Sequence, residues 1–130
     1  MNETASYLAE IELALVSSPI LSQFQILRAW ANTDDGYIRI RATLINGDFL
    51  EATEYFVFQQ NRIITIDYRH QWMDRVKQVL RRRWDSTPDH PSLANFPYHM
   101  HIGNEKNVVS SYLISLIELL KIIEQEFSRL

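Results

Sequence analysis

The chain has 130 residues, 46% hydrophobic and 22% charged, with a formal net charge of -3 and no cysteine. That length predicts one domain over residues 1–130, and the apolar content is enough for a packed core and too high for a disordered chain. Disulfides, thiolate metal sites and cysteine nucleophiles are excluded, and no run of about 18 apolar residues marks a membrane span.

The start MNETASYLAE lacks the basic segment and apolar run of a leader, so a cytoplasmic protein without a signal peptide is expected. Tyr7, Leu8, Ile11, Ala14 and Leu15 recur at helical spacing until Ser17-Ser18-Pro19, which predicts a helix over about 4–16. Three extended runs follow, over 23–31, 37–45 and 49–58, punctuated by Asn32-Thr33-Asp34-Asp35-Gly36 and by Asn46-Gly47. A fourth, 62–69, follows Gln60-Asn61, completing a four-stranded antiparallel meander. Read as a two-residue hairpin loop, Asn46-Gly47 sets Thr43 against Leu50, Arg41 against Ala52 and Arg39 against Glu54. The core face then carries Ile38, Ile40, Ala42, Leu44, Phe49, Tyr55, Val57, Ile64 and Ile66. The opposite, polar face carries Tyr37, Arg39, Arg41, Glu54, Asp67 and Arg69, joined by Arg28 and Trp30.

Residues 70–84 place Trp72, Val76, Val79 and Leu80 on one helical stripe, predicting a central helix. An irregular connection with Pro88, Pro91 and Pro97 leads to a short extended segment, 96–102, a candidate fifth strand. Its period of two sets His99 and His101 on one side and Tyr98, Met100 and Ile102 on the other. A C-terminal helix over about 108–128 closes the chain, its broad apolar face suited to the core or to a homodimer. The expected class is α+β, a four-stranded antiparallel meander, with a short fifth strand, packed against N-terminal, central and C-terminal helices.

Charge is uneven: residues 62–84 sum to +5 and the other 107 to -8, and arginine outnumbers lysine ten to three. Such a chain is no general nucleic-acid coat, but its basic stretch suits an anionic ligand or an acidic partner. With glycine only at 36, 47 and 103, Walker loops and dinucleotide fingerprints are excluded, and no G-x-S-x-G elbow exists. His99 and His101 are candidates for general acid–base chemistry. With His90 they are alternatively ligands of a borderline cation, or merely structural. No H-E-x-x-H or similar spacing supports a metal, so neither metal nor cofactor is expected. Arg81, Arg82 and Arg83 suit a bound phosphate or a helix C-terminus. Arg39 and Arg41, with Tyr37 and Trp30, suit either a solvated sheet face or a platform for stacked bases.

The segments ETASYLAEIELALVSSP, RAWANTDDGYIRIRATLINGDFLEATEYF, DYRHQWMDRVKQVLRRRWDSTPDHP and NFPYHMHIG resemble the TumE family of small prokaryotic toxins. The most specific matches are Trp84-Asp85…Pro88-Asp89-His90-Pro91 and Phe96-Pro97-Tyr98-His99-Met100-His101-Ile102-Gly103. The resemblance implies a type II toxin encoded beside a helix-turn-helix antitoxin. By fold-level analogy with small antiparallel-sheet toxins of the RelE type, it points to an RNA-cleaving or translation-inhibiting protein acting on RNA or the ribosome. A metal-independent endoribonuclease would use His99 and His101 for proton transfer and Arg81, Arg82, Arg83, Arg39 and Arg41 for phosphate. The alternatives are a non-enzymatic interaction module built on the arginine-rich helix, and a metal-dependent hydrolase using His90, His99 and His101.

Overall fold

The computed structural model describes residues 2–129. In order, the chain forms helix α1 (Glu3–Ser17), strands β1 (Leu21–Ala31), β2 (Asp35–Leu44), β3 (Phe49–Gln59), β4 (Arg62–Met73), β5 (Leu80–Asp85), β6 (His99–Ile102) and β7 (Val108–Ser110), and helix α2 (Leu116–Ser128). The strands make one antiparallel sheet in chain order, each paired with its neighbours in sequence. Both helices lie on one face. Ile11 and Leu15 of α1 and Leu116, Leu119 and Ile123 of α2 form one buried cluster with Ile38, Ile40, Leu44, Leu50, Ala52, Trp72 and Trp84 of the sheet. The α+β class and the antiparallel meander hold. The expected count is corrected to seven strands and two helices.

The first correction is the absence of a central helix over 70–84. Tyr68, His70 and Trp72 alternate as buried residues, the period of a strand rather than a helix. The chain turns at Asp74, whose Oδ1 accepts from the amides of Gln78 and Val79 (2.8 and 3.0 Å), while Lys77 takes a left-handed φ of 60°. Val76 and Val79, two of the four residues in the apparent apolar stripe, are exposed at this turn. The second correction lies at the C-terminus. Val108 to Ser110 pair with β6, and the helix begins only where Ser115 and Glu118 form a capping box, each side chain bonding the other's backbone amide.

The third correction is a register slip of one residue. The turn after β2 has three residues, with Leu44 and Asp48 as the closing pair (Leu44 N to Asp48 O, 2.8 Å) and Gly47 at φ 91°. This is the type I turn with a left-handed third residue. Opposite pairs are therefore Thr43–Phe49, Arg41–Glu51, Arg39–Thr53 and Ile38–Glu54. A slip of one exchanges the faces of the whole partner strand. Leu50, Ala52, Glu54 and Phe56 enter the core, and Phe49, Glu51, Tyr55 and Val57 turn outward. Phe56 seats over Gly36, where a Cβ would lie 2.4 Å from its ring. The Gln60-Asn61 loop does have two residues, both at positive φ. A bulge then leaves Ile66 unpaired and exposed, so Ile64 and Ile66 do not join the buried core.

Candidate functional site

The sheet face away from the helices carries two cross-strand rows. One runs Arg39–Thr53–Arg69–Asp85–His99 and the next Arg41–Glu51–Gln71–Arg83–His101, because residues directly opposite in an antiparallel pair point the same way. Trp30, Tyr37 and Tyr55 stand at the far end, ring centroids 6.1 and 6.4 Å apart around Trp30, with the Arg28 guanidinium 6.0 Å from the Tyr37 ring. Over the β5–β6 end the connection 86–98 folds back and brings His90 to the two strand histidines. The ring centroids are 4.8 Å (His90–His99), 6.0 Å (His90–His101) and 5.0 Å (His99–His101) apart, and each pair of planes is steeply crossed. One ligand atom from each ring lies within 4.8 Å of the others.

Backbone carbonyls orient the two strand histidines. A carbonyl only accepts, so the proton sits on Nδ1 of His99, donated to Pro97 O (3.0 Å), and on Nδ1 of His101, donated to Glu105 O (2.9 Å). Both Nε2 atoms then face the Asp85 carboxylate. His99 Nε2 is 2.9 Å from Oδ1 and His101 Nε2 3.9 Å from Oδ2. The shorter approach lacks hydrogen-bond alignment, and His99 Nε2 is buried without a hydrogen-bond partner among the described residues. Asp85, only 3% exposed, accepts from the Thr87 amide and hydroxyl (3.1 and 2.6 Å) and from Arg83 Nε (3.3 Å). Burial pushes its carboxyl up, but the Thr87 hydrogen bonds, His99 and Arg83 together outweigh burial and hold it below the usual carboxylate range. Arg83 is in turn gripped by the Glu105 carboxylate.

The structure thus brings His99, His101 and Arg83 together and disperses the other expected site residues. On a strand, three consecutive arginines cannot share a face. Arg82 lies on the helix side, pairing with Glu126 of α2 (3.1 Å), and Arg81 reaches Asp48 at the β2–β3 turn (3.3 Å). With no helix at 70–84, an interaction module built on an arginine-rich helix loses its element. Arg39 and Arg41 are on the histidine face but clamp Glu51, each at 2.9 Å. Arg39 stands three strands from Asp85, about 14 Å at the usual strand spacing. Asp85, Thr87 and Glu105 lie outside the expected site, Arg69 is expected only on the polar sheet face, and His90 only as a metal ligand. Reading 80–85 as a strand beside 99–102 would have found Asp85 opposite His99.

Two shallow cavities of about 250 Å³ each lie on this face. One is lined by Arg39, Glu51, Arg69 and Gln71, the other by Tyr55, Asp67, Arg69, Thr87 and Pro88, and they share Tyr37, Thr53 and Arg69. Larger ones, of about 350 and 530 Å³, open beside the β2–β3 turn and beside α1, and no histidine lines any of the four. Size alone is a poor guide here. Of the residues around Asp85, Arg69 and Thr87 line the smaller pair.

A sequence model of the family described as Toxin TumE matches residues 11–127. The chain belongs to the TumE toxin family. No curated protein and no solved structure matches it. Within this TumE chain the family match spans the whole sheet beyond α1, and with it every residue of the histidine centre. Among the described residues no helix is long and apolar enough to cross a membrane. The apolar face of α2, considered above as a self-association surface, is occupied by the core, with Leu116, Leu119, Leu120 and Ile123 all buried.

Proposed function

We propose that this TumE toxin acts on RNA, cleaving a phosphodiester at the centre formed by His90, His99, His101 and Asp85. One observation carries the reading. Two buried imidazoles with fixed tautomers aim their Nε2 atoms at one ionised carboxylate, at the end of a face lined with arginine. The arrangement lies on the sheet face opposite the helix-packed core, beneath the 86–98 connection. Arg69, between the cavities and Asp85, is suited to the RNA backbone, and Trp30, Tyr37 and Tyr55 offer ring faces on which bases stack. Arg39 and Arg41 extend the basic strip, their charge shared with Glu51. Family membership supports an antitoxin partner, and we place a helix-turn-helix antitoxin in that role. The overall charge of -3 weakens nonspecific RNA affinity, which favours a substrate presented by the ribosome.

The test is RNA integrity. Purified protein is incubated with a structured RNA, alone and with ribosomes, beside an Asp85→Asn/His99→Ala variant of confirmed fold. Fragments produced by the native chain and absent with the variant are expected. RNA left intact by the native chain under both conditions would contradict the proposal.

A further inference from the structure

We infer that His90, His99 and His101 bind a divalent metal ion of the zinc class, with the Asp85 carboxylate as the fourth donor. The inference goes beyond the ribonuclease reading and does not need it to be correct.

Four independent features converge. A metal held by three imidazoles at about 2.0–2.1 Å in tetrahedral array sets their ring centroids roughly 5 Å apart. The observed separations are 4.8, 5.0 and 6.0 Å. The rings also cross at 68–76° like propeller blades, leaving a point to which all three give an edge. Next, the Nδ1 protons of His99 and His101 are committed to the carbonyls of Pro97 and Glu105. That orients each ring and leaves Nε2 as its ligand position, the arrangement by which a protein prepares a histidine ligand.

The third feature is an unmet need. His99 is 1% exposed and its Nε2 has no hydrogen-bond partner, although Asp85 Oδ1 lies 2.9 Å away. An imidazolium would aim an N–H along that line, and no such alignment exists. A lone pair and a carboxylate oxygen at this distance repel each other unless a cation stands between them. A buried polar atom left unpaired in this way calls for an ion or water. The fourth feature is charge. Glu105 grips Arg83, so the guanidinium beside Asp85 is already countered, and one carboxylate beside three imidazole nitrogens makes a donor set that suits a dication.

The donor set selects the metal. Three nitrogens and one oxygen suit zinc or its first-row neighbours, whereas calcium and magnesium prefer oxygen ligands. In this arrangement the strand histidines hold the ion and do not exchange protons with substrate.

Tag-free protein is stripped with chelator, dialysed against Zn²⁺ and against Co²⁺, and the bound metal is counted beside the Co²⁺ absorption spectrum. The expected result is one equivalent per chain, with the intense visible bands of a tetrahedral nitrogen–oxygen site. His90→Ala lies on a loop outside the core, so its fold should survive, and its affinity should fall by at least about tenfold. Asp85→Asn should weaken binding as well. Uptake absent from the native chain, or unchanged in His90→Ala, would overturn the inference. Zinc bound at one equivalent by a protein that leaves RNA intact would uphold the site and refute the ribonuclease reading. RNA cut by a chain that takes up no metal would do the reverse.

Discussion

Glu54 and Asp85 are both buried carboxylates on the same sheet, and their surroundings differ in every respect. Glu54 lies on the helix side with no exposed surface. Its oxygens accept from the Leu116 amide, the Tyr7 hydroxyl and the Thr65 hydroxyl, at 2.7–2.8 Å. These donors are neutral, burial dominates, and the carboxyl is pushed above its ordinary range. Asp85, on the opposite face, has Arg83 and two imidazoles beside it and is held down. Burial alone therefore says little about function. A carboxylate riveting α1, β4 and the start of α2 with neutral donors is architecture. One kept ionised among imidazoles, away from the core, is the one to which we assign the proposed chemistry.

The comparison can be broken most severely at Glu54. Glu54→Ala strands three buried donors and is expected to cost about 4 kcal/mol, read as a lowered urea midpoint. Glu54→Gln, which keeps an acceptor, should cost less than half of that. A neutral Glu54→Ala would show that the carboxylate does not tie the helices to the sheet.

The histidines sharpen the same contrast. His70, wholly buried on the helix side, donates from Nε2 to Ile114 O, and burial lowers its pKa to about 4. It stays neutral in the fold but charges when unfolded, so its contribution is full above about pH 6.5 and is lost as pH falls toward 4. The loss amounts to roughly 3 kcal/mol. Urea unfolding from pH 7 to 4 should show that decline, and His70→Gln should flatten it.

How far the sequence carries this distinction depends on local signals. The N-terminal helix, expected over 4–16, spans Glu3–Ser17, and the first three strands lie where the turn residues put them. Asn46-Gly47 fits both a two-residue and a three-residue loop, and that difference of one residue decides whether Glu54 faces the arginines or the helices. Val76 and Val79 imitated a helical stripe from an exposed turn. The same misreading hid Asp85, since only a strand at 80–85 places it beside His99. The His99-x-His101 spacing was legible on its own. The approach of His90 was not, because it depends on how a proline-rich connection folds back.

The two carboxylates also predict opposite acid limbs. Glu54 has a raised pKa, so the native chain should lose stability relative to Glu54→Gln as pH rises past about 4.3, the ordinary glutamate value. Asp85 has a lowered one, so stability relative to Asp85→Asn should fall as pH drops below about 3.9. Parallel slopes for the two differences would remove the distinction. The smallest effect on stability belongs to Arg82, the neighbour of Arg83. Arg82→Ala breaks a partly exposed pair with Glu126 and should cost under about 1 kcal/mol with toxicity retained. Arg83→Ala should abolish toxicity, and equal growth phenotypes would contradict the assignment of the two faces.

The most direct test of the central claim is bacterial growth on induced expression, comparing the native chain with Asp85→Asn and Glu54→Gln at matched levels of folded protein. Arrest by the native chain and by Glu54→Gln, with growth restored by Asp85→Asn, is the expected result. Arrest by all three would move toxicity away from the histidine face.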